Sequence, residues 1–213
     1  MNREQWLNSL MKKMAPILAA ESTLIAQWIG EDWKGIDITT WRVSCGWPGG
    51  KSCNKVVGQC WATTASKDGR AEIFISPLLE KITDVDHVLL HEMVHATVGI
   101  KHGHKGPFAK LARKIGLAGK LTSTHAGDEL CERLDAIIAK MPEYPHASMT
   151  PMGNGMKKQT TRMLKLECDD CGYIVRTTQK WIEIGIPTCH CGCEFTASNS
   201  GPEVKMRPFT ISK

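Results

Sequence analysis

Long apolar segments are missing from this 213-residue chain. No run reaches the roughly 18 apolar residues that a membrane-spanning helix needs, so no membrane partner is expected. The N-terminal residues Met1 to Trp6 also lack the charged-then-apolar layout of a secretory signal peptide. A cytoplasmic location is therefore expected. In that reducing compartment, the nine cysteines are expected to act as metal ligands and buried thiols rather than as a disulfide framework.

A strong bias of composition is absent too. With 42% hydrophobic and 23% charged residues, the chain is typical of a soluble globular protein rather than a disordered or fibrous one. The net charge of +5 permits nucleic-acid binding without establishing it. Between Lys101 and Lys120 there are six basic residues and no acidic one. This pattern is as typical of the solvated face of a helix as of a nucleic-acid-binding surface. The six are Lys101, Lys105, Lys110, Arg113, Lys114 and Lys120.

The patterning of residues 1–141 predicts an α+β domain. Apolar residues recur at helical spacing over residues 3–28, where Pro16 is expected to divide two helices or to kink one. Residues 36–75 contain β-branched, alternating segments separated by turns, which predicts a small antiparallel sheet. Further helices are predicted at 84–98 after an N-cap at Thr83, from Pro107 to near Gly116, and at 128–140.

The amino-acid composition changes at residue 142 and again at residue 163. Residues 142–162 are rich in proline and glycine and are predicted to be a linker. Residues 163–197 contain five cysteines and short strand-like runs, which predicts a small β module held by a metal ion. Residues 198–213 are predicted to be a loose tail.

The segment His91-Glu92-Met93-Val94-His95 is the first candidate site. Its two histidines are four residues apart in a predicted helix, so they lie one turn apart on the same face. Two imidazoles at this spacing can occupy adjacent corners of a tetrahedral Zn²⁺, while Glu92 reaches a water on the metal rather than the metal itself. The pattern thus predicts a catalytic zinc site in which Glu92 transfers protons. The alternative is a pair of helix histidines without a metal.

A catalytic zinc usually has three protein ligands and one open position, so a third ligand must come from elsewhere. His87 lies on the same helix face, but three ligands along one straight helix converge poorly on one ion. His102 and His104 lie in a glycine-rich turn after the helix, and His104, just before the next helix, is favoured over His102. His125 remains a candidate ligand, an outer partner of a ligand, or an oxyanion partner.

The cysteine pattern near the C-terminus forms the second candidate site. Cys168-Asp169-Asp170-Cys171 is followed, after 17 residues, by Cys189-His190-Cys191, which nearly fits the two-pair spacing of a zinc ribbon. Cys168, Cys171, Cys189 and Cys191 are therefore predicted to hold one structural zinc ion. In the alternative arrangement, Cys193 replaces Cys189 or Cys191. A metal-free module is disfavoured, because the segment contains too little core to fold unaided.

Several segments of the chain resemble the SprT-like metallopeptidases, the family that includes Spartan. The matching segments are Ser44-Cys45-Gly46-Trp47-Pro48, Glu72-Ile73-Phe74-Ile75-Ser76-Pro77, Leu90-His91-Glu92-Met93-Val94-His95-Ala96 and Gly103-His104-Lys105-Gly106-Pro107-Phe108. The resemblance implies a zincin-like core with His91, His95 and His104 as zinc ligands and Glu92 as the catalytic acid and base. The interval of nine positions between His95 and His104 is shorter than in the best-known members. This compactness is similar to bacterial or phage relatives, and the host cytoplasm is the expected location if the chain is phage-encoded.

The resemblance also implies a substrate class, because Spartan-type enzymes degrade proteins crosslinked to DNA and carry a C-terminal zinc ribbon. The expected function is a zinc-dependent endopeptidase acting on DNA-associated proteins. The alternatives are a non-catalytic DNA-binding adaptor that contains zinc, and a metallopeptidase independent of DNA. The candidate DNA-binding residues are Lys157, Lys158, Arg162, Lys165, Arg176, Lys180 and Trp181. In the competing interpretation the module is a structural knuckle with a core tryptophan.

Overall fold

The structure, a computed structural model, describes residues 1–48, 56–150 and 163–197. Within these ranges the chain mixes helices with small sheets, which confirms the predicted α+β class. The helices are α1 (Arg3–Ala19), α2 (Ser22–Ile29), α3 (Ile82–Val98), α4 (Pro107–Lys114), α5 (Asp128–Ile138) and α6 (Gln179–Ile184). The strands are β1 (Trp41–Cys45), β2 (Gly58–Trp61), β3 (Ala71–Ile75), β4 (Leu117–Lys120), β5 (Ser123–Ala126), β6 (Leu164–Cys168), β7 (Ile174–Thr177) and β8 (Phe195–Ala197). No helix in these ranges is long and apolar enough to cross a membrane.

The chain divides into two compact units, Met1–Asn154 and Gly155–Lys213. The start of the predicted linker packs against the first unit. Tyr144 is buried and its ring lies 4.7 Å from that of Trp6, and the Met149 N–H donates to the Pro77 carbonyl at 2.8 Å. The remainder of the predicted linker, 151–162, and the predicted tail, 198–213, lie outside the described residues.

The long helix α3 is the central element of the first unit, contacting α1, α4, β2, β3 and β5. Its buried side chains recur at helical spacing, for example Val85, Leu89 and Met93, and this pattern favours a helix with one face in the core. The prediction of Thr83 as N-cap is wrong: the helix begins at Ile82, after Lys81, whose side chain makes no capping hydrogen bond. The helix ends before Gly99, whose φ of 91° is the left-handed conformation that glycine adopts readily.

The sheet beside α3 is mixed, so the predicted antiparallel sheet is wrong in this respect. Its strand order is β1-β3-β2, with β2 antiparallel and β1 parallel to β3. A short connection joins β2 to β3 and reverses the chain, whereas β1 pairs with the other edge of β3 and runs in the same direction. Residues 36–40 are not part of β1. The Asp37 side chain accepts a hydrogen bond from the Thr39 N–H (3.0 Å) and thereby caps a short 3-10 helix, Ile38–Thr40.

The N-terminal helix α1 continues through Pro16, and the break before α2 falls at Ala20 and Glu21. Buried side chains lie on both sides of the proline, including Met14 and Leu18, so packing against the core outweighs the lost backbone hydrogen bond. The Asn8 side chain also donates to the Val43 carbonyl (2.9 Å), which attaches α1 to β1.

The hairpin β4–β5 follows α4 and is not predicted from the sequence. Leu117 pairs with Ala126 and Lys120 with Ser123. The Arg113 guanidinium of α4 donates to the carbonyls of Leu117 (3.0 Å) and Gly119 (2.5 Å), so the helix holds the hairpin directly.

The second unit contains an antiparallel sheet of order β7-β6-β8. Its buried core within the described residues is small and consists of Leu166, Cys168, Cys189 and Phe195. Two similar turns carry the cysteines. The Gly172 N–H donates to the Cys168 carbonyl (2.9 Å) and the Gly192 N–H to the Cys189 carbonyl (2.8 Å), and both glycines have positive φ.

Candidate metal centres

Three predicted histidines come together in the first unit. The Nε2 atom of His104 lies 3.2 Å from the Nε2 of His91 and 3.2 Å from the Nε2 of His95. Two nitrogens bound to one tetrahedral Zn²⁺ at about 2.0–2.1 Å are about 3.3 Å apart, so the spacing fits three ligands of one ion. The three histidines form a group that could hold a metal ion.

The surroundings of the three imidazoles favour their uncharged form. Burial lowers the pKa of His91 to about 4 and that of His95 to about 3, and in both cases a neighbouring imidazole lowers it further. Burial also lowers the pKa of His104. Because a metal binds the neutral imidazole, the histidines are ready to coordinate at neutral pH without first losing a proton.

Phe108 supports all three imidazoles. Its ring stacks on His95 with centroids 4.2 Å apart and meets His91 and His104 at 5.1 and 5.0 Å. The side chain is fully buried near the start of α4, so the helix that follows the His104 turn also provides the wall behind the ligands. This role is not visible in the sequence, although Phe108 belongs to the segment that carries the family resemblance.

Glu92 lies beside the histidines and lines the same cleft. Burial raises its pKa to about 8, partly offset by the Cys60 backbone N–H that hydrogen-bonds the carboxylate. Gly58 of β2 makes room for the side chain, because a Cβ at Gly58 would lie 2.7 Å from Glu92 Oε1 and 2.4 Å from Val88 Cγ1. A carboxyl group with this pKa can both accept and release a proton near neutrality. A bound cation would favour its ionised form.

The cleft has a volume of about 490 Å³. Besides the histidines and Glu92, it is lined by Gly58 and Cys60 of β2, Val57, Ile100, and Ser123 and Thr124 of the β4–β5 hairpin. A ligand in this cleft would therefore meet three imidazoles, one carboxyl group, and both apolar and hydroxyl-bearing side chains.

The other candidate histidines do not join the group. His87 Nε2 lies 3.4 Å from Asp86 Oδ1, on the neighbouring residue. His102 Nε2 is buried with no hydrogen-bond partner among the described residues. His125 is exposed and lies against Gly119 in the hairpin. Of the histidines proposed as a third ligand, the structure brings His104 alone to His91 and His95.

The four predicted cysteines come together in the second unit and form a group that could hold a metal ion. The Sγ atoms of Cys168 and Cys191 are 3.4 Å apart, as are those of Cys171 and Cys189. Thiolates on one tetrahedral zinc are about 3.8 Å apart, given Zn–S bonds of about 2.3 Å. The observed separations lie near that value and far above the roughly 2.05 Å of a disulfide bond. Hydrogen bonds from the backbone, chiefly at Cys171, lower the pKa of Cys168 to about 7, which favours its thiolate.

Cys193 lies at the edge of this cluster. It is not a member of the group of four cysteines, and it forms a separate group with Asp170 and Cys191 that could also hold a metal ion.

Four of the predicted DNA-binding residues fall within the described part of the second unit. Lys165 and Arg176 face each other across β6 and β7, and Lys165 Nζ also contacts Glu167 Oε2 at 2.5 Å. Trp181 is 57% exposed, and Lys180 Nζ lies 5.3 Å from its ring centroid. An exposed tryptophan does not serve as a core residue, so this side chain is available to a partner. Lys157, Lys158 and Arg162 lie outside the described residues.

No protein-family model, no curated protein and no solved structure matches the chain. A function therefore has to be inferred from the chemistry of its own side chains.

Proposed function

We propose that this protein is a zinc-dependent endopeptidase that acts on proteins associated with, or crosslinked to, DNA. The first unit would be a zincin-like core and the second a zinc ribbon. The observation that carries the proposal is the convergence of His91, His95 and His104 beside the buried Glu92 in one cleft. The resemblance to SprT-like metallopeptidases supports the same assignment.

Zinc is the metal that best suits both groups. Three neutral imidazoles with a tetrahedral separation leave a position open for substrate, as in catalytic zinc sites. Four thiols close the coordination sphere, as in structural zinc sites. One zinc ion at each group is therefore the proposed content.

The proposed reaction uses Glu92 as its proton carrier. A zinc ion held by the histidines would supply Lewis acidity toward the scissile carbonyl and an attacking water. With zinc bound, the Glu92 carboxylate would accept a proton from the attacking water and donate it to the leaving amine. Its burial beside the ligands keeps the proton between these two positions rather than in bulk solvent.

An extended peptide is the substrate conformation that the cleft favours. Within the described residues, β2 is one of the two edge strands of its sheet, and it lines the cleft next to Glu92. Edge strands present backbone groups that can pair with an added strand, which is a common way to bind peptides. Val57 and Ile100 are 38% and 43% exposed at the cleft and offer apolar contacts for substrate side chains.

The DNA part of the proposal is supported by charge on both units. In the first unit, α4 buries Phe108 and Leu111 and exposes Lys110, Arg113 and Lys114. No acidic residue lies between Lys101 and Lys120 in the sequence, although Lys101 itself lies 3.8 Å from the Asp32 carboxylate. In the second unit Arg176 is exposed, Lys180 is exposed beside Trp181, and an aromatic ring next to a basic residue suits unpaired bases.

Substitution of Glu92 by glutamine tests the proposed mechanism. Glu92→Gln keeps the size of the side chain but removes the proton carrier, so cleavage of a DNA-bound protein should fall by on the order of 10²–10⁴-fold. Zinc content should not change, because the residue is not a ligand. Glu129→Gln, at an exposed position in α5, is the matched control and should cleave at the parent rate. A Glu92→Gln variant as fast as the parent would overturn the mechanism.

A non-catalytic DNA-binding adaptor is the second candidate, favoured by the exposed Trp181 beside Lys180. It would bind zinc and DNA, with an affinity that falls steeply as salt rises, and would cleave no protein with or without DNA. Running the cleavage assay with and without DNA separates the candidates. Cleavage that is unaffected by DNA would instead indicate a peptidase independent of DNA.

A further inference from the structure

The first ligand of the histidine group makes a contact outside that group. His91 Nδ1 lies 2.9 Å from the Thr124 hydroxyl oxygen of β5. His95 has no equivalent contact, because its Nδ1 is buried without a hydrogen-bond partner in the described chain. The two helix histidines are thus fixed differently: His91 by a hydrogen bond and His95 by the stacked ring of Phe108.

The chemistry of a metal-binding imidazole indicates which atom is the donor in the contact between His91 and Thr124. A neutral imidazole has one N–H and one free lone pair, and a metal takes the lone pair. His91 Nε2 lies 3.2 Å from His104 Nε2, so a metal at the group would take the Nε2 lone pair, and Nδ1 would then carry the hydrogen and donate it to the Thr124 oxygen. A partner on the outer nitrogen selects this tautomer and fixes the rotation of the ring.

The position of Thr124 is itself determined by the fold. It pairs with Gly119 across the hairpin, and Arg113 of α4 holds the opposite strand through the Gly119 carbonyl. The base of the hairpin is fixed by the Gly127 N–H, which donates to the Gly116 carbonyl at 2.9 Å. The hydroxyl therefore approaches His91 on a strand rather than on a free loop.

We infer that Thr124 is a positioning residue that sets the tautomer and orientation of His91 for metal binding. The inference rests on the proposed metal site but not on proteolysis. Thr124 does not coordinate the ion; it acts through His91 and increases the affinity of the site for its metal. The β4–β5 hairpin is accordingly part of the metal-binding machinery.

Metal affinity of three variants tests this inference. Thr124→Val keeps the branched shape and the strand propensity but removes the acceptor, so affinity at the histidine site should fall by about 10- to 100-fold. Thr124→Ser restores the hydroxyl and should bind within a few-fold of the parent. Thr64→Val makes the same chemical change at an exposed position that does not line the cleft and should bind like the parent.

Cobalt titration of the full chain measures the two sites separately. Co²⁺ bound by thiolates gives a sulfur-to-metal charge-transfer band, whereas Co²⁺ bound by imidazoles alone does not. Thr124→Val should weaken the binding of the Co²⁺ that adds no charge-transfer band, which is the ion at the histidines. The charge-transfer band of the cysteine site should not change. In the metal-free protein, ¹⁵N NMR of the histidine rings should show that His91 loses its Nδ1–H preference in Thr124→Val alone, an effect that a general loss of stability does not produce.

The outcomes separate this inference from the function it rests on. Parent-like affinity and an unchanged His91 tautomer in Thr124→Val would overturn the positioning role while leaving the zinc site intact. Equal weakening in Thr124→Val and Thr124→Ser would also overturn it, because the hydroxyl would then not be the cause. No cobalt at the histidines of the parent protein would overturn the proposed function itself.

Discussion

The two candidate metal centres differ in what surrounds them. The histidine group lies on elements of a unit with a large buried core, with Leu89, Leu90 and Met93 of α3 fully buried among the ligands. The cysteine group lies in a unit whose described core has four buried side chains, and Cys168 and Cys189 are two of them. In the first unit the fold positions the three histidines, whereas in the second the cysteines themselves make up much of the described core.

This difference separates the two roles of a metal. A site with three ligands, an open cleft and a buried carboxyl group can lose its metal and keep its shape, because packing holds α3 and α4 in place. A closed group of four thiols on a small core has little else to hold its turns together. The comparison leads to three predictions, in order of decreasing effect.

Removal of metal should produce the largest effect and should act on one unit only. With a chelator in excess, residues 163–197 should lose their amide protection, while the first unit should keep it. Binding of a structural zinc contributes about 10–16 kcal/mol to folding in small zinc domains. Hydrogen exchange of the full chain, followed by mass spectrometry with and without zinc, measures both units at once.

Two cysteine variants provide the control for the chelation experiment. Cys168→Ser should reproduce the effect of the chelator on residues 163–197, because it removes a ligand. Cys131→Ser, at a half-buried thiol of α5 that belongs to neither group, should not. Unchanged protection of residues 163–197 after chelation would show that the second unit folds on its own core.

The second prediction concerns which histidine completes the first site. His104→Ala should remove the metal from the histidine group and leave the cysteine group loaded, because its Nε2 is the atom shared by both 3.2 Å contacts. His102→Ala should retain both metals, since His102 is not part of the group. Metal analysis of the purified variants measures this directly. Equal loss in both variants, or loss in His102→Ala alone, would contradict the assignment.

The sequence predicts those parts of the site that depend on local spacing. The interval between His91 and His95 determines their common face on α3 whatever the rest of the chain does. His104 is accessible to the same reasoning, because a turn followed by Pro107 limits where the chain can go. The two cysteine turns are local as well, since each glycine follows its cysteine directly.

Contacts between distant segments are not predictable in this way. The hairpin that carries Thr124 consists mainly of small and polar residues, so it has no alternating apolar pattern to reveal it. The parallel pairing of β1 with β3 depends on which edge of β3 is free, not on either strand alone. Phe108 has the composition of any core residue, and its contact with three imidazoles depends on how α4 packs on α3.

The third prediction tests how closely the cleft is packed, at a contact that the sequence does not reveal. In Gly58→Ala the new Cβ would meet Val88 and Glu92, so the first unit should be destabilised by about 1–3 kcal/mol. Cleavage should fall further than stability alone explains, because Glu92 is displaced while the histidines keep their metal. Gly185→Ala is the control in the second unit. Among the described residues, apart from its chain neighbours, no atom lies within 4 Å of the Cβ that alanine would add, and the backbone is extended, so the stability should change by less than about 0.5 kcal/mol. Denaturation of the zinc-loaded variants measures their stability, and metal analysis and a cleavage assay measure the state of the site. A Gly58→Ala protein that is stable and fully active would show that β2 is free to move away from α3.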